Sequence, residues 1–330
     1  MKRITYISRM SSTLPVSEVE NIGLVSAANN RKKSITGVLI FVQGLFFQLL
    51  EGEEKAVDEL FATIKEDDRH EEVMCLKTEN NVTVRLFPEW SMKMINLDRN
   101  DSEIMMPIRI LLQNVMDSHS IILKYTQPAV SNIFNQGLNP LDTKLHRTDK
   151  VILFGDIVSF SAICENRPVE EVSELINLYF EICSNNIMAY KGEVTKYMGD
   201  GIMAFFDIDK ADKALRACVE ILQEINEMKQ NIKSGDPLIK KLRTGFGISS
   251  GNVLEGNMGS SFKKDYTIIG DAVTVAARLE AYTRKIKKAI AFTDDVKEIL
   301  SEDWDYIPHG KVELKGKHHL VEVFSLNTPL

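Results

Sequence analysis

The stretch from Gly192 to Phe206, GEVTKYMGDGIMAFF, most constrains how this chain can fold. Apolar and β-branched residues flank the sequence MGDG, which predicts two strands joined by a tight turn with Asp200 at its tip. A second apolar run, Val151 to Phe160, contains Asp156. An aspartate at the end of a buried strand is costly unless a cation meets it. Two such carboxylates favour a site for hard divalent cations, although either one alone could be a turn or cap residue.

These two runs resemble the metal-binding motifs of the class III nucleotidyl cyclase family. That family reads roughly F-x-D-I-x-x-F-[ST] and K-x-x-G-D, and this sequence has FGDIVSFS and KYMGD. The resemblance implies a catalytic domain over residues 148–330. It also implies that Asp156 and Asp200 bind two Mg²⁺ or Mn²⁺ ions, and that the backbone from Ile157 to Phe160 holds substrate phosphates.

The same resemblance implies roles for residues further along the chain, in attack of a ribose 3′-hydroxyl on the α-phosphate of a nucleoside triphosphate. Arg278 matches the arginine that stabilises the transition state. Lys315, alone or with Lys317, matches the position that contacts the distal phosphates. Lys196 and Thr267 match the pair that reads the base. Lysine with aspartate or threonine implies ATP, whereas guanylyl members usually carry glutamate and cysteine.

One position departs from the family pattern. Members usually carry asparagine four residues before the arginine, in N-V-A-x-R, whereas this chain reads TVAAR with Thr274 first. Threonine has a hydroxyl but no amide, so we expect weaker ribose positioning and a low basal rate. In the family, the metal aspartates come from one chain and the lysine, threonine and arginine from another. This chain has both sets, which implies a homodimer with two equivalent sites.

Residues 1–97 have the pattern of a separate domain. Predicted strands and helices follow the order β-α-β-β-α-β-β, with a last strand between Asn80 and Asn96, which is typical of a ferredoxin-like sheet with two helices on one face.

Farther along the chain, the segments 243–249 and 253–257 are predicted to form a hairpin about Ser250-Gly251.

The first domain resembles the BLUF family of flavin-binding blue-light sensors. The residues that carry the resemblance or fit it are Tyr6, Asn30, Gln48, Arg69, Trp90 and Met92. It implies a non-covalent flavin, FAD or FMN, in an apolar slot with polar groups at the edge of its ring. In that family the residue matching Tyr6 passes an electron and a proton to the excited flavin, and the amide matching Gln48 rearranges. Taken singly, Tyr6, Trp90 and Met92 would more often be core residues.

Residues 98–147 are predicted to link the two domains. Apolar residues recur every three or four positions from Glu103 to Tyr125, which predicts one helix with an apolar stripe. Such a helix could pair with its copy in a dimer or dock on its own domain.

Composition limits the partners and the compartment. A net charge of −7 argues against a nucleic-acid partner, which would need a basic face. The four cysteines show no C-x-x-C spacing and are expected to be reduced core residues. The first residues do not resemble a signal peptide, and no run of about 18 apolar residues occurs. We therefore predict a cytoplasmic protein with no membrane partner.

Together the two halves resemble photoactivated adenylyl cyclases of the cyanobacterial type. The predicted fold class is α+β, with two ferredoxin-like α/β sandwich domains joined by a helical linker. The implied function is blue-light-activated conversion of ATP to 3′,5′-cyclic AMP and pyrophosphate. Two alternatives stay open. One is a flavin-binding signalling module whose cyclase half only dimerises or binds nucleotide, which Thr274 favours. The other is a guanylyl cyclase, which Lys196 and Thr267 oppose.

Overall fold

The structure is a computed structural model that describes residues 1–11, 15, 18–89, 92–99, 105–165, 167–231, 237–315 and 319–330. Contacts divide the chain into one unit from Met1 to Asp142 and another from Thr143 to Leu330. Each unit contains its own mixed sheet with helices packed against it, which confirms the predicted α+β class.

The first unit begins with the predicted order of strands and helices. Its elements are β1 (Lys2–Met10), α1 (Val19–Lys32), β2 (Thr36–Val42), β3 (Leu45–Gly52), α2 (Glu54–Lys65), β4 (His70–Glu79) and β5 (Lys93–Asn96). The sheet order is β4-β1-β3-β2-β5, with β5 parallel to β2. One core packs between the sheet and the two helices; it includes Tyr6, Val19, Phe46, Leu50 and Phe61.

The strand predicted between Asn80 and Asn96 occupies only its last four residues. Residues 80–89 form no strand, and two of them bond to the buried Glu51 side chain. The Glu51 carboxylate accepts hydrogen bonds from the backbone N–H groups of Leu86, at 2.9 Å, and Phe87, at 2.8 Å. It also accepts one from Arg3 Nε at 2.9 Å. These amides bond to a side chain instead of a strand, so the sheet cannot extend here.

The helix predicted after the first domain is α3 (Met105–Tyr125), followed by α4 (Pro128–Asn135). It covers the second face of the first sheet, where Met116 is buried in one cluster with Ile7, Leu45 and Leu97. The docked alternative is therefore confirmed. The helix also keeps a second apolar stripe exposed: Leu111, Val115, Ile122 and Tyr125. Their spacings of four, seven and three residues fit a heptad seam.

The second unit is built on one long strand, β9. Its elements are β6 (His146–Ile157), α5 (Phe160–Cys164), α6 (Val169–Ala189), β7 (Glu193–Met198), β8 (Gly201–Asp207), α7 (Ala211–Asn231), α8 (Pro237–Lys241), β9 (Thr244–Gly259), β10 (Lys264–Ile269), α9 (Asp271–Ile286), β11 (Ile290–Thr293), α10 (Asp294–Glu298), β12 (Tyr306–Val312) and β13 (Val321–Leu326). The sheet order is β12-β13-β11-β9-β6-β8-β7, and β10 pairs with β9. Helices α6 and α7 contribute Tyr179, Cys183, Leu215 and Cys218 to the main core.

The predicted Asp200 hairpin is confirmed, whereas the hairpin about Ser250-Gly251 is wrong. Strands β7 and β8 pair across a turn in which Gly199 has φ of +66°. Strand β9 instead continues through Gly251, because β6 pairs with it from His146↔Glu255 to Ile157↔Thr244. No helix in the described part of the chain is long and apolar enough to cross a membrane.

Candidate functional site

The two predicted metal ligands lie together at the end of β6. Asp156 pairs in register with Gly201, so Asp200 comes directly beside it. Burial raises the pKa of Asp200 to about 6, and the negative charge of Asp156 and a hydrogen bond to it act in the same direction. A divalent cation would relieve this repulsion.

The carboxylate pair fits a magnesium-type site better than a closed metal cage. Within the described ranges, no group of three or more His, Cys, Asp or Glu side chains could hold a metal ion. Mg²⁺ commonly binds through one or two carboxylates together with water and substrate phosphates. Two carboxylates at an open strand end therefore have the right donor chemistry.

Sequence analysis missed a third residue at this site, Arg284 on α9. Its Nη2 donates to Asp156 Oδ2 at 2.8 Å, and its Nη1 donates to Glu280 Oε1 at 2.7 Å. Burial raises the pKa of Glu280 to about 7 although Arg284 acts against that rise. Glu280 and Arg284 were readable from the sequence as a helical i,i+4 pair, but nothing local indicated that the pair faces Asp156.

The residues matched to base and phosphate binding lie on other elements of the same unit. Thr267 is buried on β10, opposite Gly256, and Lys196 is half-buried on β7. Thr274 and Arg278 lie one turn apart on the exposed side of α9. The structure thus brings Thr274 and Arg278 together on one helix face.

Arg278 does not share the helix face that reaches Asp156. It precedes Arg284 by six positions, which corresponds to about 9 Å along the axis and roughly 120° around it. In the described part of the chain, Arg278 makes no ion pair with Asp156 or Asp200. Within one chain, Arg278 is therefore separated from the pair formed by Asp156 and Asp200.

The chain turns sharply just after the first aspartate. Ile157 is buried at the end of β6, and Ser159 has φ of +60° directly before α5 begins at Phe160. Backbone N–H groups in the first turn of a helix lack partners within that helix. Lys315 is exposed shortly after β12. Lys317 lies outside the described residues.

In the first unit, three of the predicted cofactor residues form one buried hydrogen-bonded chain. Tyr6 on β1 lies directly opposite Gln48 on β3. The Tyr6 hydroxyl donates to Gln48 Oε1, and Gln48 Nε2 donates to Met92 Sδ at 3.2 Å. Burial raises the pKa of Tyr6 far above its usual range, so this phenol stays protonated. Asn30 is also buried, near the end of α1.

A cleft of about 600 Å³ adjoins this chain at Met92. Its walls come from α1 and β5, and they include Gly23, Leu24, Ala27 and Met94. A Cβ on Gly23 would lie 2.4 Å from Met94 Sδ, so glycine allows the helix to approach the strand closely. The lining also includes the polar residues Glu20, Lys93 and Asn96. A mixed lining of this kind beside the buried Gln48 amide suits an isoalloxazine ring, which has an apolar body and a polar edge, and the volume is in the range of small-molecule sites.

Arg69, another predicted cofactor residue, is not part of that chain. The Arg69 guanidinium binds Asp67, with Nε 2.9 Å from Oδ1 and 3.1 Å from Oδ2. Its neighbour His70 is half-buried and lies against core residues instead. The His70 ring packs against Tyr6 and Phe46, and its Nδ1 is 2.8 Å from Ser8 Oγ. Trp90 lies outside the described residues.

These arrangements define a two-part protein, with a buried Tyr–Gln–Met chain in one unit and a cyclase-type carboxylate pair in the other. Residues 1–93 match the family described as sensors of blue-light using FAD, and residues 143–328 match the adenylate and guanylate cyclase catalytic domain. A solved structure of a bacterial light-regulated adenylyl cyclase is 46% identical, with a TM-score of 0.89, over 99% of this chain and 94% of that one. This chain therefore belongs to the adenylate and guanylate cyclase family and also carries a BLUF domain.

More distant relatives agree with this placement. The photoactivated adenylate cyclase subunits alpha and beta of Euglena gracilis are 27% and 28% identical over 90% of this chain, which spans only 29% and 34% of their lengths. The adenylyl cyclase CyaB from P. aeruginosa, at 24% identity and a TM-score of 0.51, covers 57% of this chain and shares the catalytic fold. The family implies a flavin in the first unit and a divalent metal ion in the second. Class III domains act as dimers and bind a nucleoside triphosphate.

Proposed function

We propose that this chain is a blue-light-activated adenylate cyclase that converts ATP to 3′,5′-cyclic AMP and pyrophosphate in the cytoplasm. The observation that carries the proposal is the position of Asp200 beside Asp156 in a chain that also presents Thr274 and Arg278 on one exposed helix face. We further propose residues 1–97 as the sensor, 98–147 as the linker and 148–330 as the catalytic domain.

Each catalytic group has a role that follows from its charge and position. Asp156 and Asp200 would hold two Mg²⁺ or Mn²⁺ ions, which neutralise phosphate charge and acidify the ribose 3′-hydroxyl when bound. The 3′-oxygen then forms a bond to the α-phosphorus as the bond to the pyrophosphate oxygen breaks. Arg278 stabilises the charge that develops at the α-phosphate. The hydroxyl of Thr274 positions the ribose in place of the usual amide.

The remaining substrate contacts select and hold ATP. Lys196 and Thr267 contact the base, and the hydroxyl and ammonium groups there support adenine over guanine. Backbone N–H groups from Ile157 to Phe160, apart from that of Val158, which donates to the backbone oxygen of Arg243, hold the phosphates near the metal ions. Lys315 contacts the distal phosphates from its exposed position after β12.

We infer that the working form is a homodimer in which each site takes groups from both chains. Two observations support this inference. Arg278 does not lie on the helix face that reaches Asp156, so a second chain would have to supply it. Helix α3 also exposes the heptad-spaced stripe of Leu111, Val115, Ile122 and Tyr125, with Leu111 at 64% and Tyr125 at 88% exposure. Two copies of this stripe would bury each other as a coiled coil.

The first unit would hold FAD or FMN through Asn30, Gln48 and Met92, with Trp90 and Arg69 as further contacts. The flavin supplies absorption of blue light when bound. Tyr6 and Gln48 then control the signal, because a rotated Gln48 amide would exchange donor and acceptor between Tyr6 and Met92. Ile7, the next residue on β1, faces the opposite side of the sheet and packs in the cluster of α3. A shift of β1 can therefore reach the linker helix.

Turnover of ATP by the flavin-loaded chain, in darkness and under blue light, tests the function. We expect more cyclic AMP in the light, and at least about 100-fold less turnover from Asp200→Asn because one metal ligand is lost. Asp209→Asn, which lies outside the carboxylate pair, is the matched control and should retain activity. Equal rates in light and dark would refute light control. If the wild-type chain shows no turnover, the alternative function remains: a flavin-binding signalling module whose cyclase half only dimerises or binds nucleotide.

A further inference from the structure

Arg284 lies at the carboxylate pair but has no role in the proposed reaction. It belongs to the last turn of α9, and its side chain is 35% exposed. Its guanidinium donates through Nη2 to Asp156 Oδ2 at 2.8 Å and through Nη1 to Glu280 Oε1 at 2.7 Å. One cation is thus shared between a proposed metal ligand and a second carboxylate that is not assigned to the metal site.

The two carboxylate oxygens of Asp156 have different surroundings. Oδ2 accepts the hydrogen bond from Arg284. Oδ1 lies on the side of the turn that carries Asp200, because a Cβ on Gly201 would be 3.4 Å from it. The strand is fixed at this point, since the Thr244 hydroxyl donates to the backbone oxygen of Asp156 at 3.0 Å. A metal ion held by the aspartates would therefore meet Oδ1 directly, but would meet Oδ2 only in competition with Arg284.

Glu280 gives Arg284 a second partner within the same helix. It is buried, with 7% exposed, and lies one turn before Arg284 on α9. Helix α9 packs closely on β9 at this point, because a Cβ on Gly247 would lie 2.1 Å from Glu280 N. A guanidinium can bond to both oxygens of one carboxylate through two parallel N–H groups. Arg284 can therefore release Asp156 and keep its charge paired by bonding to Glu280 alone.

We propose that Arg284 is a positioning residue that competes with metal ions for Asp156 Oδ2, with Glu280 as the partner that receives it when a metal ion binds. While Arg284 bonds to Oδ2, that oxygen is closed to a metal ion. Full use of Asp156 by the metal ions requires Arg284 to turn to Glu280, and this step opposes metal binding. The inference rests on the proposed function, because it takes Asp156 and Asp200 as the metal ligands.

The expected size of the competition follows from the charges. A cation beside an aspartate commonly changes the proton affinity of that carboxylate by about 10- to 1,000-fold. A divalent metal ion carries more charge than a proton, so Arg284 should oppose its binding at least as strongly. If Arg284 served only to neutralise buried Glu280, its removal would leave the metal affinity unchanged. The metal affinity therefore separates the positioning role from a purely structural one.

Binding of Mn²⁺ to the full chain without nucleotide tests the competition. Loss of the electron paramagnetic resonance signal of free Mn²⁺ reports binding without any turnover. The titration is run at about pH 8 so that Glu280 is ionised, because burial raises its pKa to about 7. We expect Arg284→Met to tighten binding about tenfold or more. Lys285→Gln is the matched control: it removes the next positive charge along α9, which is exposed and screened, and should change the affinity by less than about twofold.

Glu280→Gln separates a switch between two partners from a simple effect of charge. It weakens the alternative partner of Arg284, so Mn²⁺ binding should weaken by about threefold or more. In the Arg284→Met background the same change should have little effect, because Glu280 acts through Arg284. The double variant also carries no unpaired buried carboxylate, so it reports the affinity even if Arg284→Met alone folds poorly. Effects of the two substitutions that simply add would overturn the proposal.

Asp200→Asn distinguishes failure of this inference from failure of the proposed function. If Asp200→Asn does not weaken Mn²⁺ binding, the aspartates do not form the metal site, and both proposals are wrong. If Asp200→Asn abolishes binding but Arg284→Met leaves the affinity unchanged, the metal site stands and the competition by Arg284 is wrong.

Discussion

The buried carboxylate of Glu51 should be a large single contributor to the stability of the first unit. It is fully buried and accepts hydrogen bonds from Arg3 Nε, Leu86 N and Phe87 N. Glu51→Gln keeps the shape but removes the negative charge, and it turns one acceptor oxygen into a donor that faces other donors. Breaking a buried ion pair costs about 3–5 kcal/mol. In a unit of this size that corresponds to a fall of roughly 10 °C in melting temperature.

The measurement is thermal unfolding of the full flavin-loaded chain, followed by flavin fluorescence so that the first unit is observed separately. Glu79→Gln is a matched control, because Glu79 contacts the same arginine, Arg3, but is 31% exposed. A partly exposed pair is worth about 1 kcal/mol or less. We therefore expect Glu51→Gln to lower the midpoint several times more than Glu79→Gln. Equal effects from the two variants, or a fall of less than about 3 °C for Glu51→Gln, would refute the reasoning.

Three further predictions concern pH, assembly and substrate choice. Burial lowers the pKa of His70 below its ordinary 6.5, so the unfolded chain binds a proton more readily than the folded chain. The free energy of unfolding should therefore fall as pH drops below about 6.5. A pH series of melting temperatures should be flatter for His70→Gln. Leu111→Glu places a charge in the exposed α3 stripe, so sedimentation should show at least about a tenfold weaker dimer, with turnover falling in parallel; an unchanged assembly would contradict the coiled-coil pairing. Lys196→Glu combined with Thr267→Cys should raise GTP turnover relative to ATP at least about tenfold in a competition assay, and an unchanged ratio would contradict their role in base selection.

Local sequence patterns were sufficient to predict an element that is stabilised mainly by its own residues. The Asp200 hairpin was predictable because two glycines flank the aspartate and apolar residues flank the turn. The turn predicted at Ser250-Gly251 failed for the opposite reason. Twelve consecutive residues of β6 pair with β9, and this long ladder outweighs one local turn signal. Gly251 keeps a φ of +155°, so the backbone is distorted there without reversing.

Contacts between distant parts of the chain were beyond sequence reasoning. Arg284 and Asp156 are separated by 128 positions, and only the packing of α9 beside β6 brings them within 2.8 Å. The short strand β5 is a similar case. The backbone N–H of Leu86 bonds to the carboxylate of Glu51, 35 positions earlier in the chain, and this contact ends the predicted strand. By contrast, Tyr6, Gln48 and Met92 were selected from the sequence alone, since their identity and spacing matched a known family, and the structure shows that they contact one another.

Docking of helix α3 on its own sheet is observed, whereas its pairing with a second copy remains a prediction; together they would carry a buried change out of the first unit. One face of α3 packs on the sheet through Met116, and another face leaves Leu111 and Val115 exposed. Tyr6 and Ile7 are adjacent on β1 but face opposite sides, because side chains alternate along a strand. A displacement of β1 that follows a change at Gln48 would therefore move Ile7 against the buried face of α3. The exposed face must move with it, since both belong to one rigid helix, so a second chain paired along that stripe would experience the change directly.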